Sequence, residues 1–363
     1  MSSAIYIVGI VGVPGQYGGF ETLVEYLLDA QGLKGERVCV FCEKTENPKR
    51  LDVYKGAKLL YLPFKANGWQ SILYDACGMF LGGLKGSHVL VLGTSATIFL
   101  PLFRLMFPRV KFITNMAGLE WTRSKWGWLA RKILLLNEWA AARFSHTLIA
   151  DNEGLIDYVR RRYRVEGEYI AYGGDQYLKL DPDVKVFEEW KLPRAGYDFV
   201  IARAQSDNNM EIILDAYVEL GLPLVYVSNW ESSEYGRLLR ERYSSYPNLY
   251  LIGPIYSAEK VAALHRSAEI YVHGHSSGGT NPTLVEAMWS GLPILAFDVT
   301  FNRYTTEGAA QYFSSSDELV ALRRSVSTEL LKRNGVKHAE AARRRYSWAS
   351  VCKRYVEVIK GKR

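Results

Sequence analysis

Asp198-Phe199-Val200-Ile201-Ala202-Arg203 is the stretch on which the reading of the fold turns. It opens after a looser segment containing Pro182 and Pro193, and its apolar run reads as a buried strand that starts a second α/β alternation. Behind it, apolar runs at residues 4–10, 37–42, 58–62, 89–92, 111–115 and 147–150 are separated by helix-length segments, the pattern of buried parallel strands in a doubly wound sheet. Ahead of it, residues 224–228, 249–252, 270–273 and 294–297 repeat that pattern. The chain has 363 residues, and single cores stop growing at roughly 250–300 residues. Two tandem α/β domains are therefore expected, at 1–175 and 176–340, followed by a basic helix at 341–363.

Composition narrows the function classes. Hydrophobic residues make up 48% and charged residues 23%, which suits packed domains and excludes a disordered chain. No repeat of solenoid length is visible. The start, Met1-Ser2-Ser3-Ala4-Ile5, has no basic leader region and runs into a strand pattern, so a cytoplasmic protein is expected. The most apolar stretch, 72–107, is interrupted by Lys85, His88 and Arg104, and no spanning helix is expected from it. Cys39 and Cys42 sit three apart in a strand pattern and point to opposite faces, so they read as structural thiols. The net charge is +7, and residues 337–363 hold nine Lys or Arg against Glu340 and Glu357, which accounts for the whole excess. With the basic residues confined to one segment and no recognition module present, a nucleic-acid partner is not expected.

Three loops carry chemistry. The first strand leads into Gly9-Ile10-Val11-Gly12-Val13-Pro14-Gly15-Gln16-Tyr17-Gly18-Gly19-Phe20-Glu21-Thr22 and then an amphipathic helix over about 20–30. A helix N-terminus behind a glycine loop suits an anion, whereas the GxGxxG spacing of a dinucleotide site is absent. The second loop is His273-Gly274-His275-Ser276-Ser277-Gly278-Gly279-Thr280-Asn281-Pro282-Thr283-Leu284-Val285-Glu286. Asn281 reads as an N-cap and Pro282 as the first helical residue, which fixes the helix mouth behind Gly278-Gly279-Thr280. Glu286 lies about one turn inside, where its carboxylate can accept from a ribose while the helix mouth takes a diphosphate. The third is Arg203, at the end of the strand quoted first, where a guanidinium can clamp a diphosphate. A capped surface helix and a surface ion pair are the bland readings of these last two loops.

Taken together, the residues resemble family 4 glycosyltransferases of the GT-B fold, specifically a subgroup with a GxPxxYGGFET loop, here residues 12–22, and a GGTNPxLxEA motif, here residues 278–287. Gly118-Leu119-Glu120-Trp121, Ala150-Asp151-Asn152, Ile170-Ala171-Tyr172-Gly173, and Arg203 with Asn208-Asn209 resemble further subgroup signatures. The resemblance implies two facing Rossmann-like domains with a C-terminal helix crossing back to the first. It implies retaining transfer without a metal or other cofactor, from a dTDP- or UDP-sugar. The best match to the subgroup is transfer of L-rhamnose from dTDP-rhamnose to a lipid-linked saccharide in bacterial cell-surface polysaccharide synthesis. It implies catalytic roles for Arg203 and Glu120, and donor contacts from Gly18, Gly19, Arg203, Asn208, Gly278, Gly279, Thr280, Asn281 and Glu286. Two departures stand out: Gly278 replaces the glutamate of the wider superfamily, and Ala117 replaces a subgroup aspartate before the Gly118-Leu119-Glu120-Trp121 segment.

Rivals share the fold. A nucleotide-sugar epimerase, a UDP-sugar transferase and a binding subunit with impaired catalysis all fit the same two domains, and Ala117 keeps the last in play. Asp181-Pro182-Asp183 mimics a metal-binding DxD but lies between the domains, and His273 with His275 reads as loop ordering. Trp126, Trp128, Arg131 and Lys132 ahead of an apolar stretch, with the basic tail, suggest docking on the anionic inner face of the cell membrane. Core packing of a first-domain helix accounts for most of that stretch equally well.

Overall fold

The computed structural model describes residues 4–15, 18–44, 50–123 and 126–361. They form two compact units, one comprising Met1–Ala171 with Ala349–Arg363, the other Tyr172–Trp348. Residues 349–361 thus return to the first unit, as a C-terminal crossing helix should.

The first unit is built on strands β1 (Ala4–Val8), β2 (Arg37–Glu43), β3 (Val53–Tyr54), β4 (Ala57–Leu62), β5 (His88–Leu92), β6 (Lys111–Met116), β7 (Thr147–Ala150) and β8 (Glu168–Tyr169). Their order in the sheet is β3-β4-β2-β1-β5-β6-β7-β8, parallel throughout except for the β3–β4 hairpin. Central strands covered on both faces have no polar side to show, which is why β1 is buried at every position. Tyr6, Val8, Phe41, Val89 and Val91 pack with Tyr74, Met79 and Phe103 from crossover helices into one core. Cys39 and Cys42 are both buried free thiols on β2. The helix Trp348–Lys360 is tied to the sheet where Tyr355 Oη accepts from Asn115 Nδ2. The would-be Cβ of Gly32 meets Val356 of that helix at 2.4 Å.

The second unit holds β9 (Asp198–Ile201), β10 (Leu224–Val227), β11 (Leu249–Ile252), β12 (Ile270–His273), β13 (Ile294–Phe297) and β14 (Gln311–Phe313), all parallel, in the order β11-β10-β9-β12-β13-β14. Its core gathers Val200, Tyr226, Ile270 and Val272 with Met210, Leu214 and Tyr217 from the helix after β9. In both units the chain winds outward in one direction from the first strand and then back past it, so the reversal falls between β1 and β5 in one and between β9 and β12 in the other. Loops at the carboxyl ends of those paired strands are where ligands bind in such sheets.

Strand boundaries expected from sequence agree with the structure to within two residues at β1, β2, β4–β7 and β9–β13. β3, β8 and β14 were not legible, being two or three residues long and lying at or next to sheet edges. The units change over at Ala171/Tyr172 and at Trp348/Ala349, against expected breaks after 175 and 340.

Candidate functional site

In the second unit the loops after β9 and β12 are knitted together by neutral polar groups. Asn208 donates through Nδ2 to Arg203 O (2.8 Å), and its Oδ1 pairs with His275 Nδ1 (2.9 Å). Asn209 Nδ2 donates to Gly274 O (2.7 Å), and Ser276 N donates to Asp207 O (2.8 Å). Gly274 allows this approach, because a Cβ there would lie 2.1 Å from Asn208 O. The loop after β10 joins through Asn229 Oδ1, which accepts from Ala204 N (2.8 Å). Asn302, in the helix after β13, donates to both His275 O and Phe297 O (2.9 Å each). His275 therefore orders a loop, and no group of three or more metal-ligating side chains occurs among the described residues.

Exposed Arg203 stands directly after β9 on this knitted base. Across the sheet reversal lies the N-terminus of the helix Pro282–Trp289. Asn281 is its N-cap, accepting from Thr283 N (3.0 Å), and Pro282 is its first residue, as the sequence indicated. Gly278 and Gly279 have φ of 38° and 79°, a left-handed pair that residues with a Cβ adopt only with strain. Tyr271 of β12 braces the mouth by donating to Thr283 Oγ1 (2.8 Å). Arg203, Asn208, Gly278, Gly279, Thr280 and Asn281 thus all belong to the two loops that flank the β9/β12 reversal.

Glu286 is buried, with 7% of its surface exposed, rather than solvated on the outer helix face. Burial pushes its carboxyl up to about 8, and a hydrogen bond from Gln176 works in the other direction. Gln176 Nε2 donates to Glu286 Oε1 (2.6 Å), and Trp348 Nε1 donates to Gln176 Oε1 (2.8 Å). The connection that carries Gln176 is held close by glycines: a Cβ at Gly174 would meet Val285 at 2.5 Å, and one at Gly173 would meet Trp348 at 2.4 Å. Sequence reasoning missed Gln176, which lies 110 positions from its partner and has no local pattern. A buried carboxylate with so few donors is suited to receive more, such as a pair of hydroxyls.

In the first unit, Gly18 is the N-cap of the helix Gly19–Asp29 and offers no side chain to it. Gln16 and Tyr17 of the opening motif lie outside the described residues. Two acids of that helix fold back over the glycine loop: Glu21 Oε1 accepts from Val11 N (2.9 Å), and Glu25 Oε1 accepts from Gly15 N (2.6 Å). Gly18 has φ of 141°, and a Cβ there would fall 1.8 Å from Glu21 Oε2. Glu120 sits in the loop after β6, its Oε1 accepting from Trp126 Nε1 (3.1 Å) and its Oε2 ion-paired with Arg123 (3.1 Å). Asn152 caps the helix Glu153–Tyr163 by accepting from Gly154 N (2.8 Å).

With this geometry in hand, comparison with known proteins places the fold. A family described as a domain of unknown function (DUF1972) matches residues 2–175. No curated protein matches the chain in sequence. Among solved structures, sucrose-phosphate synthase from Thermosynechococcus elongatus superposes with a TM-score of 0.84 at 16% identity, over 99% of this chain and 98% of that one. HepE from Anabaena, in complex with UDP-glucose, gives 0.75 at 13% over 99% and 100%. WaaG, a glycosyltransferase involved in lipopolysaccharide biosynthesis, gives 0.71 at 15% over 99% and 100%. These matches run the full length of both chains, and the protein has the GT-B fold.

Proposed function

We propose that the chain is a glycosyltransferase that takes its sugar from a nucleoside diphosphate held by the second unit. The observation that carries this reading is the pairing, at one sheet reversal, of Arg203 with the glycine-opened helix mouth at Gly278–Asn281 and a buried Glu286 one turn behind it. HepE, of the same fold, was solved with UDP-glucose, which supports a nucleotide sugar as the donor class. Arg203 and the first-turn N–H groups take up charge as the bond from the anomeric carbon to the diphosphate oxygen breaks. Donors fixed in advance on developing charge are effective catalysts. Glu286 receives the ribose hydroxyls, and Asn208 holds the Arg203 loop in register. Gly18 and Gly19 of the first unit are assigned to the donor on the resemblance alone.

For the finer chemistry, the subgroup resemblance supports L-rhamnose from dTDP-rhamnose, retaining transfer without metal, and a lipid-linked saccharide acceptor. Trp126, Trp128, Arg131 and Lys132, with the basic tail, support peripheral contact with the anionic inner face of the cell membrane. Glu120 is the carboxylate assigned to the acceptor side, its two oxygens held in one orientation by Arg123 and Trp126.

The test is a panel of dTDP- and UDP-sugars read by thermal shift and donor hydrolysis, with wild type and Arg203→Ala side by side. Selective stabilisation by one nucleotide sugar, lost in Arg203→Ala, supports the reading and names the donor. No response to any nucleotide or nucleotide sugar overturns it.

A further inference from the structure

Among the described residues, ten of the twenty-two exposed large apolar side chains fall between Ile98 and Trp139, so the exposure is concentrated and not scattered. Two helices of the first unit, Leu100–Met106 and Trp128–Phe144, present eight of them, and Ile98 and Phe99 lie in the turn that leads into the first. The helices are locked side by side: Arg104 Nη1 donates to Phe144 O (3.1 Å), Thr97 Oγ1 donates to Asn137 O (2.6 Å), and Ile98 N donates to Asn137 Oδ1 (3.0 Å). Leu105 is 81% exposed and Trp128 71%, and Leu102, Ile133, Leu136 and Trp139 are exposed on the same two helices. Apolar area gathered in this way marks a contact surface.

Charge says what kind of contact. Arg109, Arg131, Lys132 and Arg143 are exposed on or beside these helices, and among the described residues none of them forms an ion pair with a carboxylate. Lys132 lies over the Trp128 ring, 4.9 Å from its centroid. The one acid of the longer helix, Glu138, is turned inward and accepts from Tyr158 and Tyr163 (2.7 and 2.6 Å). The outer face is thus apolar and cationic with no acid, the composition of a helix that lies in a lipid interface. The basic tail differs. Arg344 and Arg345 pair with Glu307, Arg354 with Glu168 and Glu357, and Lys360 with Glu36. Four of its nine Lys or Arg are thus held by carboxylates of the protein itself. No helix among the described residues is long and apolar enough to cross a membrane.

We propose that this two-helix face, and not the C-terminal tail, docks on an anionic lipid bilayer, with Trp128, Leu105 and Trp139 entering the headgroup region and Arg131, Lys132 and Arg143 meeting lipid phosphates. The proposal deepens the membrane contact put forward above and rests on that reading only for the idea that the acceptor is lipid-borne.

Co-sedimentation with phosphatidylglycerol and with phosphatidylcholine vesicles tests it, using the full chain. Wild type is expected to bind the anionic vesicles and to leave them as salt rises. Leu105→Glu with Trp139→Glu, and separately Arg131→Glu with Lys132→Glu, are each expected to lower the partition coefficient about tenfold or more, while Lys353→Glu on the tail leaves it within about twofold. All four positions in the two double variants are exposed, so the variants are expected to fold, which circular dichroism checks. Failure of wild type to bind anionic vesicles, binding unaltered in both double variants, or a dimer by sedimentation velocity that Leu105→Glu dissociates would each overturn the proposal. Thermal shifts with nucleotide sugars, read on the same samples without vesicles, report on the donor reading independently.

Discussion

The two units share a strand order and a reversal point, yet they fasten the loops there with opposite chemistry. In the first unit, carboxylates do it: Glu21 and Glu25 fold back onto the backbone N–H groups of Val11 and Gly15. In the second, amides and an imidazole do it: Asn208, Asn209, Asn229, Asn302 and His275. A carboxylate that occupies loop N–H groups fills the place an anion would take and repels it. An amide latch adds no charge of its own to the loop that carries Arg203 and Asp207 opposite a helix N-terminus. The same central strand order therefore yields one half better suited to a diphosphate than the other. The contrast adds to what Arg203, the glycine-opened helix mouth and buried Glu286 already carry, the placing of the diphosphate in the second unit.

The contrast is broken most directly at Arg203. Arg203→Ala is expected to lower transfer by roughly a hundredfold to a thousandfold and to remove most nucleotide-sugar affinity by calorimetry. A loss of similar size in Glu21→Gln with little in Arg203→Ala would move the donor to the first unit.

A second test uses pH. Burial holds the Glu286 carboxyl near 8 when the site is empty, and hydroxyl donors favour its ionised form. Binding must then expel a proton below pH 8, so affinity for a nucleotide sugar is expected to weaken about tenfold per pH unit from 8 downward. The substituted diphosphate of a nucleotide sugar does not itself titrate in this range. Titration calorimetry between pH 6 and 9 reads the slope, which should flatten in Glu286→Gln.

How much of this was legible in sequence follows from how local each signal is. Strand pattern, the Asn281-Pro282 cap and the glycine pair at 278–279 depend on neighbours within a few positions, and the structure has them where the sequence put them. Gln176 reaching Glu286, or Asn302 reaching His275 O, depends on chain paths that bring distant residues together, and neither leaves a mark in composition. The exposed face was half legible. Trp128 and Lys132 stood out, but Leu105 belonged to a run that reads equally well as core, and only the packing of its helix shows it turned outward. The GxPxxYGGFET motif was visible, whereas the inward fold of its glutamate onto Val11 was not.

Smaller effects separate the latches. Glu21→Ala removes the carboxylate from Val11 N and is expected to cost about 1–3 kcal/mol of stability in urea unfolding, with nucleotide affinity changed less than about threefold. Gly274→Ala, whose new Cβ meets Asn208 O, should cost a similar amount and also carry away affinity, since the loop it displaces is the one that holds Arg203. Equal effects of the two on affinity would mean that the latches are not functionally distinct.

The smallest expected effect on binding comes from Asp75, on the crossover helix Ser71–Lys85 of the first unit. It is 2% exposed and its Oδ1 has no hydrogen-bond partner among the described residues. Burial pushes its carboxyl up to about 8, with Ser95 acting in the opposite direction. Because the folded value lies above the unfolded one, near 4, the stability tied to this group is fully present below pH 4 and is lost as pH rises through 8. Asp75→Asn keeps the shape and cannot ionise, so its urea midpoint should exceed that of wild type at pH 8.5 and approach it at pH 4. Nucleotide affinity should not change, since this buried carboxyl, unlike Glu286, belongs to the half whose loops are latched by acids. A loss of affinity in Asp75→Asn would show that the first unit holds the diphosphate beyond the backbone approach assigned to Gly18 and Gly19, and the division of labour drawn from the two latches would fail.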